Sequence, residues 1–444
     1  MRALSLRAAT LALAFCALPA AAQDLQQVYR DAKAYDAQYA AARYALQAGQ
    51  EKLPQGRALL LPSLNATAGT TTNHLGVRPY GPNPLPESGR TFYNRNYQLS
   101  FSQPVYRPQN WLQYDQAEQQ VRQAEAVFGQ ANQDLIVRVA QAYFDVLAAQ
   151  DTLALVGAQK TAISEQLAQA KRNFEVGTAT ITDTHEAQAR YDLSAAQEIS
   201  AQNDLDNRKK ALSQITGKDY PALRQLRPQV QLPPPSPNNM SDWVALTEKQ
   251  AYAIVVQDAA AQIAGLQARF ARAGHYPTVD LVATYGQTEQ TGSTTTANSA
   301  QLNVGTLGLQ LAVPLYQGGG ISSREREAAA NYEKARQDLE NARRSSVLSA
   351  QQSFLAVING VAQVRALEQA LVSSQSALDS NKLGYEVGVR INIDVLNAQQ
   401  QLFSTRRDLA VARYNTITSH LRLKAAAGSL RDEDLEEVNR ALQP

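Results

Sequence analysis

The chain has 444 residues, with 42 basic side chains, 40 acidic ones and a single cysteine, long enough for two or three ordinary domains. Arg2 and Arg7 belong to an N-terminal secretory signal, so the mature chain balances at 40 charges of each sign and makes no case for nucleic acid as a partner. Cys16 leaves with the signal, which excludes disulfides and cysteine metal sites from the mature protein.

The signal covers 1–22, with the two arginines ahead of an apolar core from Leu11 to Leu18 and small residues Ala20 to Ala22 before a cut at Gln23. A lipoprotein cut before Cys16 would want a small residue where Phe15 stands. No later stretch approaches the ~18 apolar residues of a membrane helix. A secreted chain of this kind is either soluble or enters a membrane as a β-barrel.

The mature chain is written twice. Phe174-Glu175-Val176-Gly177 recurs as Tyr385-Glu386-Val387-Gly388, followed at equal distance by Asp183 or Asp394 and by Ala187-Gln188 or Ala398-Gln399. Pro104-Val105-Tyr106 recurs as Pro314-Leu315-Tyr316. A repeat this long is a duplication and not a solenoid. It divides the chain into a first repeat (23–216), a proline-rich linker (217–241), a second repeat (242–427) and a tail (428–444).

Each repeat is predicted as helix, two strands, long helix, turn, helix. The strands lie between Pro62 and Pro104 and between Pro277 and Pro314. Ser63–Thr72, Phe92–Phe101, Val279–Tyr285 and Leu302–Val313 alternate or are rich in Thr and β-branched residues, the weak signature of membrane barrel strands. The loops between them, His74–Arg90 and Thr288–Ser299, are full of Gly, Pro, Ser and Thr. From Arg107 to Lys171 the only proline is Pro108, at the start where a helix tolerates it, and Tyr114, Ala117, Val121, Ala124, Phe128, Ala131 and Leu135 follow a coiled-coil stripe. That predicts a helix of roughly 100 Å; Arg324–Asn381 predicts a similar one.

Asn392–Ala427 carries two stripes. One is Ile393, Leu396, Phe403, Ala410, Tyr414, Ile417 and Leu421, and the other is Val395, Leu402, Leu409, Thr416 and Leu423. Two seams mean a neighbour on each side, as in the wall of a tube. The linker, with Pro221, Pro228 and Pro233-Pro234-Pro235-Ser236-Pro237, is neither helix nor central strand. Asp432–Leu442 is a short acidic helix. Four strands cannot close a barrel in lipid, so membrane strands here require copies of the chain in cyclic symmetry.

Gly384 to Gln400, with Asp408 to Tyr414 and Leu423 to Gly428, resembles the second-half signature of the TolC family, and Ala142 to Leu147 resembles its first half. The resemblance spans essentially the mature chain. It implies a mainly helical protein with four strands per chain. Three copies would share a 12-stranded β-barrel continuous with a 12-helix α-barrel, in the outer membrane of a Gram-negative bacterium with the helices in the periplasm. The implied partners are two further chains, outer-membrane lipid, a periplasmic adaptor, and an inner-membrane ABC or proton-driven transporter. No cofactor and no enzymatic activity are implied.

The resemblance also assigns residues. Val176-Gly177 and Val387-Gly388 would receive the adaptor, although turn glycine alone accounts for the pattern. Thr182, Asp183, Tyr385 and Arg390 would hydrogen-bond across neighbouring hairpins and hold the end closed; Thr182 and Asp183 equally suit a helix cap. Asp394 would face the pore, where three copies make a ring of carboxylates, or it is simply an acid in the first turn of a helix. Asn397 stands where family members often carry a second acid, so weaker cation selectivity is expected. Gly318-Gly319-Gly320 lacks a following Lys-Ser/Thr, and His74, His185, His275 and His420 have no metal-ligand spacing. The competing reading is a soluble periplasmic coiled-coil scaffold or adaptor.

Overall fold

The first helical stretch is broken at Asp36, where no glycine or proline demands it, and again at Glu51, three residues before Pro54. A computed structural model describes residues 22–82, 86, 88–228, 230 and 232–443; the signal through residue 21, with Cys16, and part of the first predicted loop lie outside them. The single helix expected before the first strand is three pieces, α1 (Leu25–Tyr35), α2 (Ala37–Gln50) and α3 (Lys52–Ala58). Asp36 leaves the helix at ψ 118°, and its carboxylate accepts the Tyr39 N–H at 2.6 Å, restarting the chain as α2. The second repeat breaks at the matching place: α6 (Met240–Gln250) and α7 (Tyr252–Ala273) are separated by Ala251 at ψ 121°. The duplication therefore extends to a feature invisible in composition.

Four strands follow in one antiparallel sheet of order β1-β2-β3-β4: β1 (Ser63–Val77), β2 (Ser88–Tyr106), β3 (Thr278–Gln290) and β4 (Ala300–Ala312). Much of the predicted loop His74–Arg90 is strand, because His74↔Thr91 and Val77↔Ser88 continue the ladder. His74, Thr91 and Ser88 are polar, and they and Val77 are exposed, so backbone pairing holds them there and burial does not.

Register separates the sheet into two faces. Leu64, Ala66 and Ala68 on β1 stand opposite Phe101, Leu99 and Tyr97 on β2. These in turn meet Ala283, Tyr285 and Gln287 on β3, and Leu281 and Ala283 pair with Leu309 and Leu307 on β4. The other face carries Asn65, Thr67, Ser100, Gln98, Thr284 and Thr306, with the two threonine hydroxyls 2.6 Å apart. A register shift between Pro104 and Tyr106 brings Tyr106 opposite Val279, on the apolar face with Tyr97. Nine residues separate these exposed tyrosines. At ~3.4 Å per residue and ~40° of tilt they bound an apolar band of roughly 23 Å, close to that of an outer-membrane barrel.

The long helices are α4 (Pro108–Glu175) and α8 (Gly320–Glu386), followed by α5 (Ile181–Thr216) and α9 (Asn392–Ala426); a short α10 (Asp432–Arg440) ends the chain. Among the described residues no helix is long and apolar enough to cross a membrane. The chain divides into two compact units. One (41–131 and 248–348) contains the sheet and the helix segments around it, where Gly56 lets α3 approach Ala117 of α4: a Cβ there would meet the alanine Cβ at 2.9 Å. In the same unit Arg107 forks onto Asp280 at 2.8 and 2.6 Å.

The other unit (1–40, 132–247 and 349–444) holds the hairpin ends, the linker and the tail. Its core is built on α4, where Leu135, Ile136, Val139, Ala140, Tyr143, Phe144 and Leu147 are almost wholly buried at helical spacing. Phe144 stacks on Tyr414 with centroids 5.6 Å apart. Most of both predicted stripes of α9 is buried, including Val395, Leu396, Leu402, Phe403, Leu409 and Tyr414, while Ile393 and Ala410 are half-buried. The linker is tied down by Trp243 Nε1 donating to Pro237 O at 2.8 Å. Short bridges join Gln23 to Leu223 and Leu226 to Leu442.

Tyr414 donates to Asp151 at 2.7 Å. Burial nevertheless raises the Asp151 carboxyl above its ordinary range, the tyrosine opposing the shift only in part. An acid raised in the folded state is penalised when ionised. The penalty is absent below the unfolded pKa near ~4 and complete above the folded one. Asp151→Asn, which keeps the acceptor for Tyr414, should therefore raise the chemical-unfolding midpoint at pH 7. The gain should vanish as pH falls below ~4; a gain that survives there would point to packing instead.

Candidate functional site at the hairpin ends

Glu-Val-Gly ends both α4 and α8, and both ends fold the same way. Gly177 and Gly388 adopt φ +78° and +79°, the left-handed region that only glycine enters without strain. The Asn173 carbonyl accepts N–H groups from Thr178 and Ala179 at 2.8 and 3.2 Å. In the second hairpin the Gly384 carbonyl accepts those of Val389 and Arg390 at 2.9 and 3.0 Å. These close the last helical turn in the manner of a Schellman cap. Val176, Val387, Val389 and Ile391 stand exposed around the glycines, leaving an apolar surface at the hairpin ends.

The predicted gate residues take three separate places within one chain. Thr180, one position before α5, caps the helix. Its hydroxyl accepts the Asp183 N–H at 3.3 Å, while Asp183 accepts the Thr180 N–H at 3.0 Å and hydroxyl at 2.8 Å, a capping box. The cap thus uses Asp183, with Thr180 where Thr182 stood as a candidate; the Thr182 side chain is exposed and has no partner among the described residues. The Tyr385 ring packs against Leu378, Val395 and Leu402, and its hydroxyl accepts from Asn173 Nδ2 at 3.2 Å, joining one hairpin to the other. Arg390 lies 3.6 Å from Asp394, one turn on. Gly384 makes room for it, since a Cβ there would come within 2.7 Å of Arg390 Cγ.

Asp394 is half-buried in the first turn of α9, where the helix dipole favours a carboxylate. Asn397 is exposed within the chain, yet its Oδ1 accepts from Arg190 Nη2 at 2.9 Å. Besides Thr180, residues Asn392, Asn173 and Arg190 of this site are not among those the sequence singles out. Asn392 is 1 % exposed, accepts from Gln166 at 2.5 Å and donates to the Asp183 carbonyl at 3.4 Å. A polar residue three positions before Val395 on a buried stripe was its available signal. Asn173 and Arg190 had none, because their partners lie over two hundred positions away in sequence.

The arrangement offers no nucleophile or paired acid and base. It is a set of local caps and pairs within each hairpin, with hydrogen bonds from one hairpin to the other, beside an apolar rim.

Comparison with known proteins identifies the family. The family model described as "Outer membrane efflux protein" matches residues 28–218 and 244–429, the two repeats. The chain is 34% identical over 424 residues to the outer membrane protein TolC of Vibrio cholerae, covering 95% of this chain and 94% of that one. It is 32% identical to the proteases secretion protein PrtF of Dickeya chrysanthemi, covering 97% and 93%. The crystal structure of the outer membrane protein VceC from Vibrio cholerae shares the fold, with a TM-score of 0.77 at 19% identity over 91% of this chain and 96% of that one. The chain therefore belongs to the outer membrane efflux protein family, the family of TolC, and is an outer-membrane transport channel and not an enzyme.

Proposed function

We propose that three copies of the chain form a passive exit duct, closed at the hairpin ends and opened when a periplasmic adaptor, coupled to an inner-membrane transporter, docks there. The observation that carries this reading is the four-stranded sheet, apolar on one face, polar on the other and unpaired at both outer edges among the described residues. Open edges are untenable in hydrocarbon, and pairing β4 of one copy with β1 of the next removes them. Exposed apolar residues on α8, Leu355, Val372 and Leu383, support further contacts between copies.

In this duct Val176-Gly177 and Val387-Gly388 receive the adaptor. Thr182, Asp183, Tyr385 and Arg390 bias the gate, and Asp394 contributes to an acidic ring at the constriction. Each exposed pair is worth only ~0–1 kcal/mol, so three copies favour the closed state without locking it.

Single-channel recording in planar bilayers tests the proposal. Wild-type protein should show small, stable openings; Arg390→Ala should enlarge them, and Asp394→Ala should shift the reversal potential toward anions. Folded, inserted protein that never conducts would overturn the duct, and an unchanged conductance in Arg390→Ala would remove that residue from the gate.

A further inference from the structure

Asn397 and Gln400 lie three residues apart on α9 and present their side-chain oxygens to one cation. Arg190 Nη2 donates to Asn397 Oδ1 at 2.9 Å and Nη1 to Gln400 Oε1 at 2.6 Å. Arg190 belongs to α5, so this fork joins the first hairpin to the second helix of the other. Among the described residues the hydrogen bonds of Arg190 go to these two amides and no ion pair includes it. Beside it is a crevice of about 10 Å³ lined by Ile163, Leu193 and Leu396 and by the polar Gln159, Ser194 and Gln197, room for no more than about one water. Nearest the turns, the other side-chain bonds between the hairpins, Gln166 to Asn392 and Asn173 to Tyr385, are neutral; those of Arg422 to Gln141 and Tyr414 to Asp151 lie further along α4 and α9. Hydrogen bonds from a guanidinium are stronger than neutral ones.

We infer that Arg190 is a positioning residue that clamps α5 to α9 through Asn397, and that this clamp sets both the ease of opening and the charge of the constriction. The inference rests on the proposal that the hairpin ends are the channel's closure. It changes what position 397 does. An amide there is an anchor for a cation. A carboxylate would be met at once by Arg190, tightening the clamp and cancelling its own charge.

Four proteins decide the matter in the same bilayer assay: wild type, Arg190→Gln, Asn397→Asp and the double variant. Arg190→Gln should raise conductance about two- to five-fold, the scale of one exposed charged interaction. Asn397→Asp alone should lower conductance and leave the potassium-to-chloride permeability ratio nearly unchanged. In the Arg190→Gln background the same substitution should raise that ratio about two-fold or more, because the carboxylate is then free. Equal shifts of the ratio in both backgrounds would overturn the clamp, as would wild-type conductance in Arg190→Gln. Amide hydrogen exchange at 178–184 and 389–394 gives a reading independent of conduction. It should quicken in Arg190→Gln, and unchanged exchange would overturn the clamp. If wild-type protein does not conduct, the duct fails while the exchange measurement still judges the clamp.

Discussion

Gly388→Leu should abolish export and leave a folded protein at wild-type level in the outer membrane. The backbone cost is bounded: a side chain at φ +79° carries about 1–2 kcal/mol, against ~5–15 kcal/mol for a typical domain. The steric cost inside the chain is small, since a Cβ at Gly388 meets nothing within 4 Å. What leucine alters is the outward surface between Val387 and Val389, the surface proposed to receive the adaptor. Gly388→Ala separates the two causes. It imposes the same backbone strain with little added bulk, so export kept by Ala and lost by Leu assigns the defect to docking. Loss in both would assign it to the turn, and normal secretion by well-expressed Gly388→Leu would remove position 388 from the docking surface.

Phe144→Ala should have the largest effect on stability, costing about 3–5 kcal/mol by loss of buried area and creation of a cavity. Phe144 is 1 % exposed, stacks on Tyr414 and meets Tyr143 edge-on at 5.7 Å. Collapse around the hole is hindered because Tyr143 is itself fixed, its hydroxyl donating to the Arg224 carbonyl at 2.8 Å. Denaturant unfolding followed by helical circular dichroism would read the loss. Phe144→Leu should cost much less, since it refills most of the volume. A destabilisation below about 1 kcal/mol in the alanine variant would mean that the surrounding helices repack.

Features with a local physical cause were legible in the sequence. The two turns announced themselves because a left-handed residue demands glycine, and the same four-residue pattern occurred twice. The long helices and both seams of α9 followed from apolar spacing. The first part of β1 followed from its threonines and small residues and the middle of the other strands from alternation, but the outer end of β1 did not, because His74 and Val77 are held by ladder bonds to Thr91 and Ser88 and not by burial. The breaks at Asp36 and Ala251 were hidden for a similar reason: Asp36 ends one helix by capping the next. At the site, the turn glycines and Asp394 could be located by motif. The bonds of Tyr385 to Asn173 and of Arg190 to Asn397 could not, since each joins residues that only tertiary folding brings together.

The unit holding the hairpin ends is stitched from the chain's beginning, middle and end. Gln23 bridges to Leu223 and Leu226 to Leu442, the Leu25 N–H reaches Asn439 at 3.2 Å, and Tyr29 reaches Asp432 at 2.9 Å. Synthesis and translocation proceed from the N-terminus, so α1 waits for more than four hundred residues before its last partners arrive. During that wait Leu25, Val28 and Ala32, all buried in the finished protein, lack part of their cover. Such long-range closure is slow and exposes apolar surface in the meantime. Closure of this unit is therefore the last step its contacts allow, since the partners of α1 on α10 are made only at the far end of the chain.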